Sequence, residues 1–200
     1  MTVMDIQIQT VTTLFGPWYI TWEKSIKLYV KMETNHPNPE RLHARLVEVT
    51  EFSENVFTNV QRLLAQYTTN RSAFLKYTLC TIISSSSSHL FFLLPEHEDD
   101  RNEKDQQVWG MVTVNICQTC SSPRAWIDDF VVDENYRRHG LAHTMMDQIL
   151  KFAHYLGAPS VMLTSNPTRV AGNQFCKTFG FTEYETNVYI YKMPIGNKGI

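Results

Sequence analysis

One glycine set between an apolar strand and an amphipathic helix constrains this chain more than any other feature. Residues 126–132 read as a strand. Residues 141–156 read as a helix whose apolar positions Leu141, Met145, Ile149, Phe152 and Leu156 recur at steps of three and four. Between them lies the polar turn Asp133-Glu-Asn-Tyr-Arg-Arg-His-Gly140. Gly140 has no side chain, so a ligand can approach the backbone closely there. The first turn of a helix leaves N–H groups without internal acceptors, and their dipoles favour an anion in front of them. Arg137 and Arg138 add positive charge beside that point. The unit therefore predicts a strand–turn–helix that receives an anion such as a pyrophosphate. It is not a Walker A loop, because the Gly-Lys-Ser/Thr ending is absent, and a dinucleotide fingerprint would need three glycines where this turn has one.

The remaining sequence supplies elements around this unit. Residues 15–32 carry Trp18, Tyr19, Ile20 and Trp22 and suit a hairpin, a packed helix or an extension. The polar stretch 33–40, with its two prolines, reads as a linker. An N-terminal extension over 1–40 and one domain over 41–200 are expected. Residues 45–50 alternate as a strand. A helix opens at Phe52-Ser-Glu and carries Val56, Val60, Leu63 and Leu64 on one face, and a second helix is expected over 71–83. The serines at 84–88 predict a flexible loop. Strands follow over 89–94 and 108–116, joined by an acidic, solvated hairpin loop at 96–105. After the central helix come a short buried strand at 160–164, a helix over 168–179 closed by Gly180, and two short strands within 181–193. The order is βααβββαβαβ with a split last strand. Its hairpins make the sheet mixed, in an α/β arrangement of the α+β type.

Composition removes several function classes. A chain of 200 residues can build one sizeable core. A net charge of −2 gives no broad attraction to nucleic acid. No apolar run approaches the roughly 20 residues that span a bilayer, so no membrane partner is expected. The first basic residue is Lys24, unlike a secretory leader. The cytoplasm is the default compartment, with the nucleus left open. Cys80, Cys117, Cys120 and Cys176 are too sparse for a disulfide framework. Cys117 and Cys120 form a C-x-x-C without two further ligands at matching spacing, unless His89 or His97 approaches in space. Two ordinary thiols and no metal are expected.

Residues 126–181 resemble the core of the GNAT N-acetyltransferase superfamily, the acyl-CoA N-acyltransferase fold. Its Gln/Arg-x-x-Gly-x-Gly/Ala signature matches Arg137, Gly140 and Ala142, and its closing Gly-Phe matches Phe179-Gly180-Phe181. The stretch from Leu163 to Asn173 is similar to a pattern common in that superfamily. Over 45–116 only the element order agrees, and before residue 40 nothing does. The resemblance implies a mixed, mostly antiparallel central sheet flanked by helices. It also implies transfer of an acetyl group from acetyl-CoA, as co-substrate, to an amine of a small molecule or protein by direct attack in a ternary complex. The oligomeric state, monomer or homodimer, is left open.

The same resemblance assigns roles to residues. The pantetheine arm would lie along Phe130, Val131 and Val132. An N–H of Val131 or Val132 would polarise the thioester carbonyl, a contribution of roughly 3 kcal/mol. Arg137, Arg138, His139, Gly140, Leu141, Ala142 and His143 would hold the pyrophosphate, and Asn173 would contact the cofactor arm. Asp128 and Asp129 stand where several relatives carry an acidic pair. Strand alternation sends them to opposite faces, and one would take the amine proton. Asp128 is preferred, because the catalytic acid of those relatives is the first of the two. One departure matters. Where many relatives place a tyrosine that protonates the departing thiolate, this chain has Cys176. A thiol is largely protonated at pH 7 but is short and a weak donor. Water, Tyr184, Tyr189 or Tyr191 would substitute, and Cys176 reads more simply as packing. A GNAT fold that binds acyl-CoA without turning it over is the alternative.

Overall fold

The computed structural model describes residues 42–67, 75–96 and 107–193. The expected extension at 1–40, the acidic loop beyond Glu96 and His97 lie outside them. The elements are β1 (Ala44–Glu48), α1 (Glu54–Tyr67), α2 (Lys76–Ser84), β2 (Ser88–Pro95), β3 (Gly110–Cys117), β4 (Arg124–Val132), a 3₁₀ turn (Glu134–Tyr136), α3 (Leu141–Tyr155), β5 (Val161–Leu163) and α4 (Val170–Thr178). Most ends fall within a few residues of the sequence expectation. Ser53 starts α1 as anticipated, its Oγ accepting from the N–H of Val56 at 3.1 Å.

The sheet runs β1-β2-β3-β4-β5. The first three pairings are antiparallel, with Leu46 opposite Leu93, Phe91 opposite Val112 and Val114 opposite Ile127; β4 and β5 are parallel. This is the mixed, mostly antiparallel sheet that the hairpins predicted. The interior strand β2 is buried almost throughout, because helices cover both of its faces. On one face Leu90, Phe92, Leu94, Met111 and Val131 form a core with Val60 and Leu63 of α1 and Leu79 of α2. On the other, α3 buries Leu141, Met145, Met146, Ile149 and Phe152. There the Phe152 ring meets those of Phe91 at 4.9 Å and His89 at 5.0 Å. Gln148 of α3 ties down the outer strand, accepting from the N–H of Leu46 at 2.8 Å and donating to the carbonyl of Ala44 at 3.3 Å. That covers backbone groups an edge strand would otherwise expose.

His89 does not serve the C-x-x-C. It is buried, with Nδ1 2.8 Å from Glu48 Oε1. Cys117 and Cys120 are exposed free thiols. Among the described residues no group of three or more His, Cys, Asp or Glu is placed to hold a metal ion, and no helix is long and apolar enough to cross a membrane. The serine run forms a hydrogen-bonded turn. Ser84 Oγ donates to the Cys80 carbonyl at 2.8 Å, and Ser85 Oγ accepts from the N–H groups of Ser87 and Ser88.

The chain divides into two compact units, one ending at Leu163 and one beginning at Thr164. Within the second, Asn166 Oδ1 accepts from the N–H of Thr168 at 2.9 Å, and Asn173 Nδ2 donates to the carbonyls of Asn166 and Pro167. These bonds shape the approach to α4. Gly180, at φ 81°, closes the helix as expected. The two strands expected within 181–193 do not form. Tyr184, Val188, Tyr189, Ile190 and Tyr191 are 76–87% exposed. Their β-branched and aromatic character suits a pleated surface only where a partner strand and a buried face exist. The short β5 is likewise half-buried rather than buried, as the edge strand of the sheet.

Candidate active site

The pairing of β3 with β4 contains an irregularity that decides where the acidic pair points. Thr113 faces Asp128 and Met111 faces Val131, so β4 carries one residue more than β3 across this interval. Such a bulge bends the strand and re-aims its side chains. Asp129 absorbs it at φ 49°, a left-handed conformation that Asp tolerates better than most residues.

Alternation fails at this point, which corrects the expectation of opposite faces. Asp128 Oδ2 accepts from Asn115 Nδ2 at 3.0 Å, and Asp129 Oδ2 accepts from Thr113 Oγ1 at 3.2 Å. Thr113 and Asn115 are two apart on β3 and share a face, so the bulge brings both carboxylates to one side. It is the side of Met111 and Val131, covered by α1 and α2. Burial pushes the Asp129 carboxyl above its ordinary range; the Thr113 hydroxyl opposes the shift and the Asp128 charge adds to it. Neither Thr113 nor Asn115 stood out in the sequence, because a bulge leaves no pattern of its own.

Beyond the bulge β4 outruns its parallel neighbour. The last β5 residue, Leu163, pairs with Ile127. Residues 128–132 therefore have β3 on one side and no described strand on the other. Val131 is buried, while Phe130 and Val132 are half-buried.

The strand delivers the chain into the glycine turn. Asp133 is 1% exposed; its N–H donates to the Trp109 carbonyl at 2.8 Å, and its Oδ1 accepts from the N–H and Nδ2 of Asn135. Its other oxygen pairs with Arg62 of α1. Tyr136 stacks on Trp109 at 5.0 Å. Arg138 and Gly140 take positive φ values of 70° and 78°. Gly140 caps α3 with no side-chain acceptor on the helix end. The N–H groups of His143 and Thr144 bond the Gly140 carbonyl, and those of Leu141 and Ala142 lie ahead of that first bond. Arg137, Arg138 and His139 are exposed around this mouth. An uncapped helix end behind a glycine, with two arginines beside it, fits a pyrophosphate.

Arg137 is placed differently from a free phosphate clamp. Its Nε donates to the Val132 carbonyl at 3.0 Å and its Nη2 to Gln66 Oε1 at 3.4 Å. Arg62, Gln66 and Asp133 were missed in the sequence. The only signals available were the i, i+4 spacing of Arg62 and Gln66 on one helix face and an Asp two residues before an Asn. In the second unit Cys176 is half-buried, and burial raises its thiol pKa against the lowering effect of its backbone hydrogen bond. The thiol is thus kept protonated.

Comparison with known proteins decides the family. The profile of the Acetyltransferase (GNAT) family matches residues 59–181, more than half of the chain. The chain belongs to the GNAT acetyltransferase family. No curated protein matches this GNAT sequence. Among solved structures it is similar to an aminoglycoside acetyltransferase from an uncultured soil metagenomic sample (19% identity, 76% of this chain and 96% of that one, TM-score 0.62). It is also similar to the Arabidopsis thaliana glucosamine-6-phosphate N-acetyltransferase (16% identity, 73% and 97%, TM-score 0.57). A Trypanosoma brucei acetyltransferase matches at 16% identity, over 74% and 99%, with TM-score 0.56. At such identities the likeness is one of fold. Family and fold together support an acetyltransferase function, as the resemblance implied.

Proposed function

We propose that this GNAT chain transfers an acetyl group from acetyl-CoA to an amine by direct attack in a ternary complex. The observation that carries the reading is the bulge in β4, which turns Asp128 and Asp129 to one face just before the strand enters the Gly140 turn. Acetyl-CoA supplies an activated thioester. The N–H groups of Leu141 and Ala142, with the charge of Arg138, receive its pyrophosphate, while His139 and His143 border the same mouth. Beyond the last described pairing with β5, the edge of β4 at Phe130, Val131 and Val132 receives the extended arm in the manner of an added strand. A Val131 or Val132 N–H then lies where charge develops on the carbonyl.

The amine must lose a proton to attack. The sequence favoured Asp128 as the base, but the raised pKa of Asp129 favours the second carboxylate. A base works best with a pKa near the working pH, and burial with a like charge alongside moves Asp129 in that direction. Asp128 supplies the charge. Amine attack on the carbonyl forms the amide bond, the C–S bond breaks, and the thiolate takes a proton from Cys176, a tyrosine or water. The acceptor is an amine of a small molecule or a protein.

One observation favours a second reading, a fold that binds acyl-CoA without turnover: Cys176 stands in place of the usual tyrosine. Cys176→Ala separates the two roles of that thiol. We expect turnover within about twofold of wild type, measured with saturating acetyl-CoA. A large loss with unchanged acetyl-CoA binding would make the thiol the acid.

Thermal unfolding with acetyl-CoA, with ATP and NAD as controls, tests the reading itself. At 100 times its dissociation constant a ligand adds about 2.7 kcal/mol, or roughly 5–10 °C for a domain of this size. A shift with acetyl-CoA alone is expected. No shift at high ligand would remove both readings.

A further inference from the structure

The described ion pairs and side-chain bonds join α1 to the anion-binding turn at two successive points of one helix face. Arg62 pairs with the buried Asp133, and its Nη2 also donates to the Val108 carbonyl at 2.8 Å and to Asn59 Oδ1 at 3.2 Å. One helical turn on, Gln66 Oε1 accepts from the Glu134 N–H at 2.9 Å and from Arg137 Nη2 at 3.4 Å. The chemistry fixes the orientation of this amide, since both partners are donors and only its carbonyl oxygen can serve them. Arg137 in turn holds the last carbonyl of β4. A single helix thus grips the segment 133–137 from the buried Asp133 to the exposed Arg137. The same helix buries Val60 and Leu63 against Met111 and Val131, on the face that carries Asp128 and Asp129.

We propose that Gln66 is a positioning residue for acetyl-CoA: through the Glu134 amide and the Arg137 guanidinium, α1 sets the turn whose backbone receives the pyrophosphate. This rests on the proposed function. On this reading Arg137 acts through the turn it braces rather than as a free cation.

Arg62 is a poor probe, because its removal strands the buried Asp133 carboxylate and threatens the fold. Gln66 is half-buried at the end of its chain of contacts, and its substitution leaves the core intact. We expect Gln66→Leu to raise the KM and Kd for acetyl-CoA about tenfold, the worth of one such hydrogen bond. Its kcat, acceptor KM and Tm should stay near wild type. Gln66→Glu keeps an acceptor toward both donors and restores acetyl-CoA affinity to within about twofold. Wild-type acetyl-CoA affinity in Gln66→Leu, or a loss that appears in kcat or acceptor KM instead, overturns this inference and leaves the proposed function standing. A wild-type protein that does not bind acetyl-CoA at all overturns both.

Discussion

Asp129→Asn lowers turnover by about 10²–10⁴-fold, the usual worth of a positioned base, and leaves acetyl-CoA binding unchanged. The amide keeps an oxygen for the Thr113 hydroxyl, so the bulge and its face survive while proton acceptance is lost. In the wild-type enzyme the rate falls as pH drops through the raised pKa of Asp129, where the carboxylate becomes protonated. Asp128→Asn behaves differently. It removes the like charge that helps raise the Asp129 pKa, so the acid limb of the pH–rate profile moves to lower pH and turnover persists. If Asp128 is the base, the two variants exchange behaviours. A pH–rate profile of each variant with one good amine acceptor decides between them.

The same shift fixes a stability effect of opposite sign. The folded state raises the pKa of Asp129 above the unfolded value of about 3.9. Below that value the group is protonated in both states and contributes nothing. As pH rises through the folded pKa, the native state must carry a desolvated charge that the unfolded state carries in water, so stability falls. Asp129→Asn therefore unfolds at a higher temperature than wild type at pH 7, and the difference disappears near pH 3. For the proposed base, a carboxylate whose removal stabilises the protein is the expected signature of burial serving chemistry.

Much of this architecture was legible in the sequence because it depends on local periodicity. The step of three and four from Leu141 to Phe152, followed by Gly157 at φ 74°, specifies α3 and its end. The dense apolar run of β2 specifies a strand covered on both faces. The glycine turn could be read because glycine records a backbone need directly. What the sequence concealed was non-local. Nothing in residues 128 and 129 announces a bulge, since the extra residue is defined only against Met111 and Thr113 of the neighbouring strand. The Arg62–Asp133 pair joins residues 71 positions apart, and no spacing rule reaches that far. The segment 181–193 failed in the opposite sense. Its residues have the propensity of strands, but its described residues have no ladder to join.

The other large effect belongs to Gly140. Its φ of 78° and ψ of 0° lie in the left-handed region, where a residue with a Cβ costs roughly 1–2 kcal/mol. Replacement therefore carries two separable penalties, one on the backbone and one on the ligand. Gly140→Asn distinguishes them, because Asn visits this conformation more readily than other residues yet places a side chain at the mouth of α3. We expect Gly140→Asn to fold with a Tm close to that of wild type and to lose acetyl-CoA affinity by on the order of 100-fold or more. Obstructing even two N–H bonds to a charged phosphate, at roughly 1.5–3 kcal/mol each, suffices for that. Gly140→Val adds the backbone penalty to the same obstruction, so it loses stability as well as affinity. Calorimetric titration beside thermal unfolding reads both quantities on the same samples. An Asn variant that binds acetyl-CoA as tightly as wild type would move the pyrophosphate away from the start of α3. The N–H groups of Leu141 and Ala142, the turn that Gln66 braces and the strand leading into it would then need another ligand to explain them.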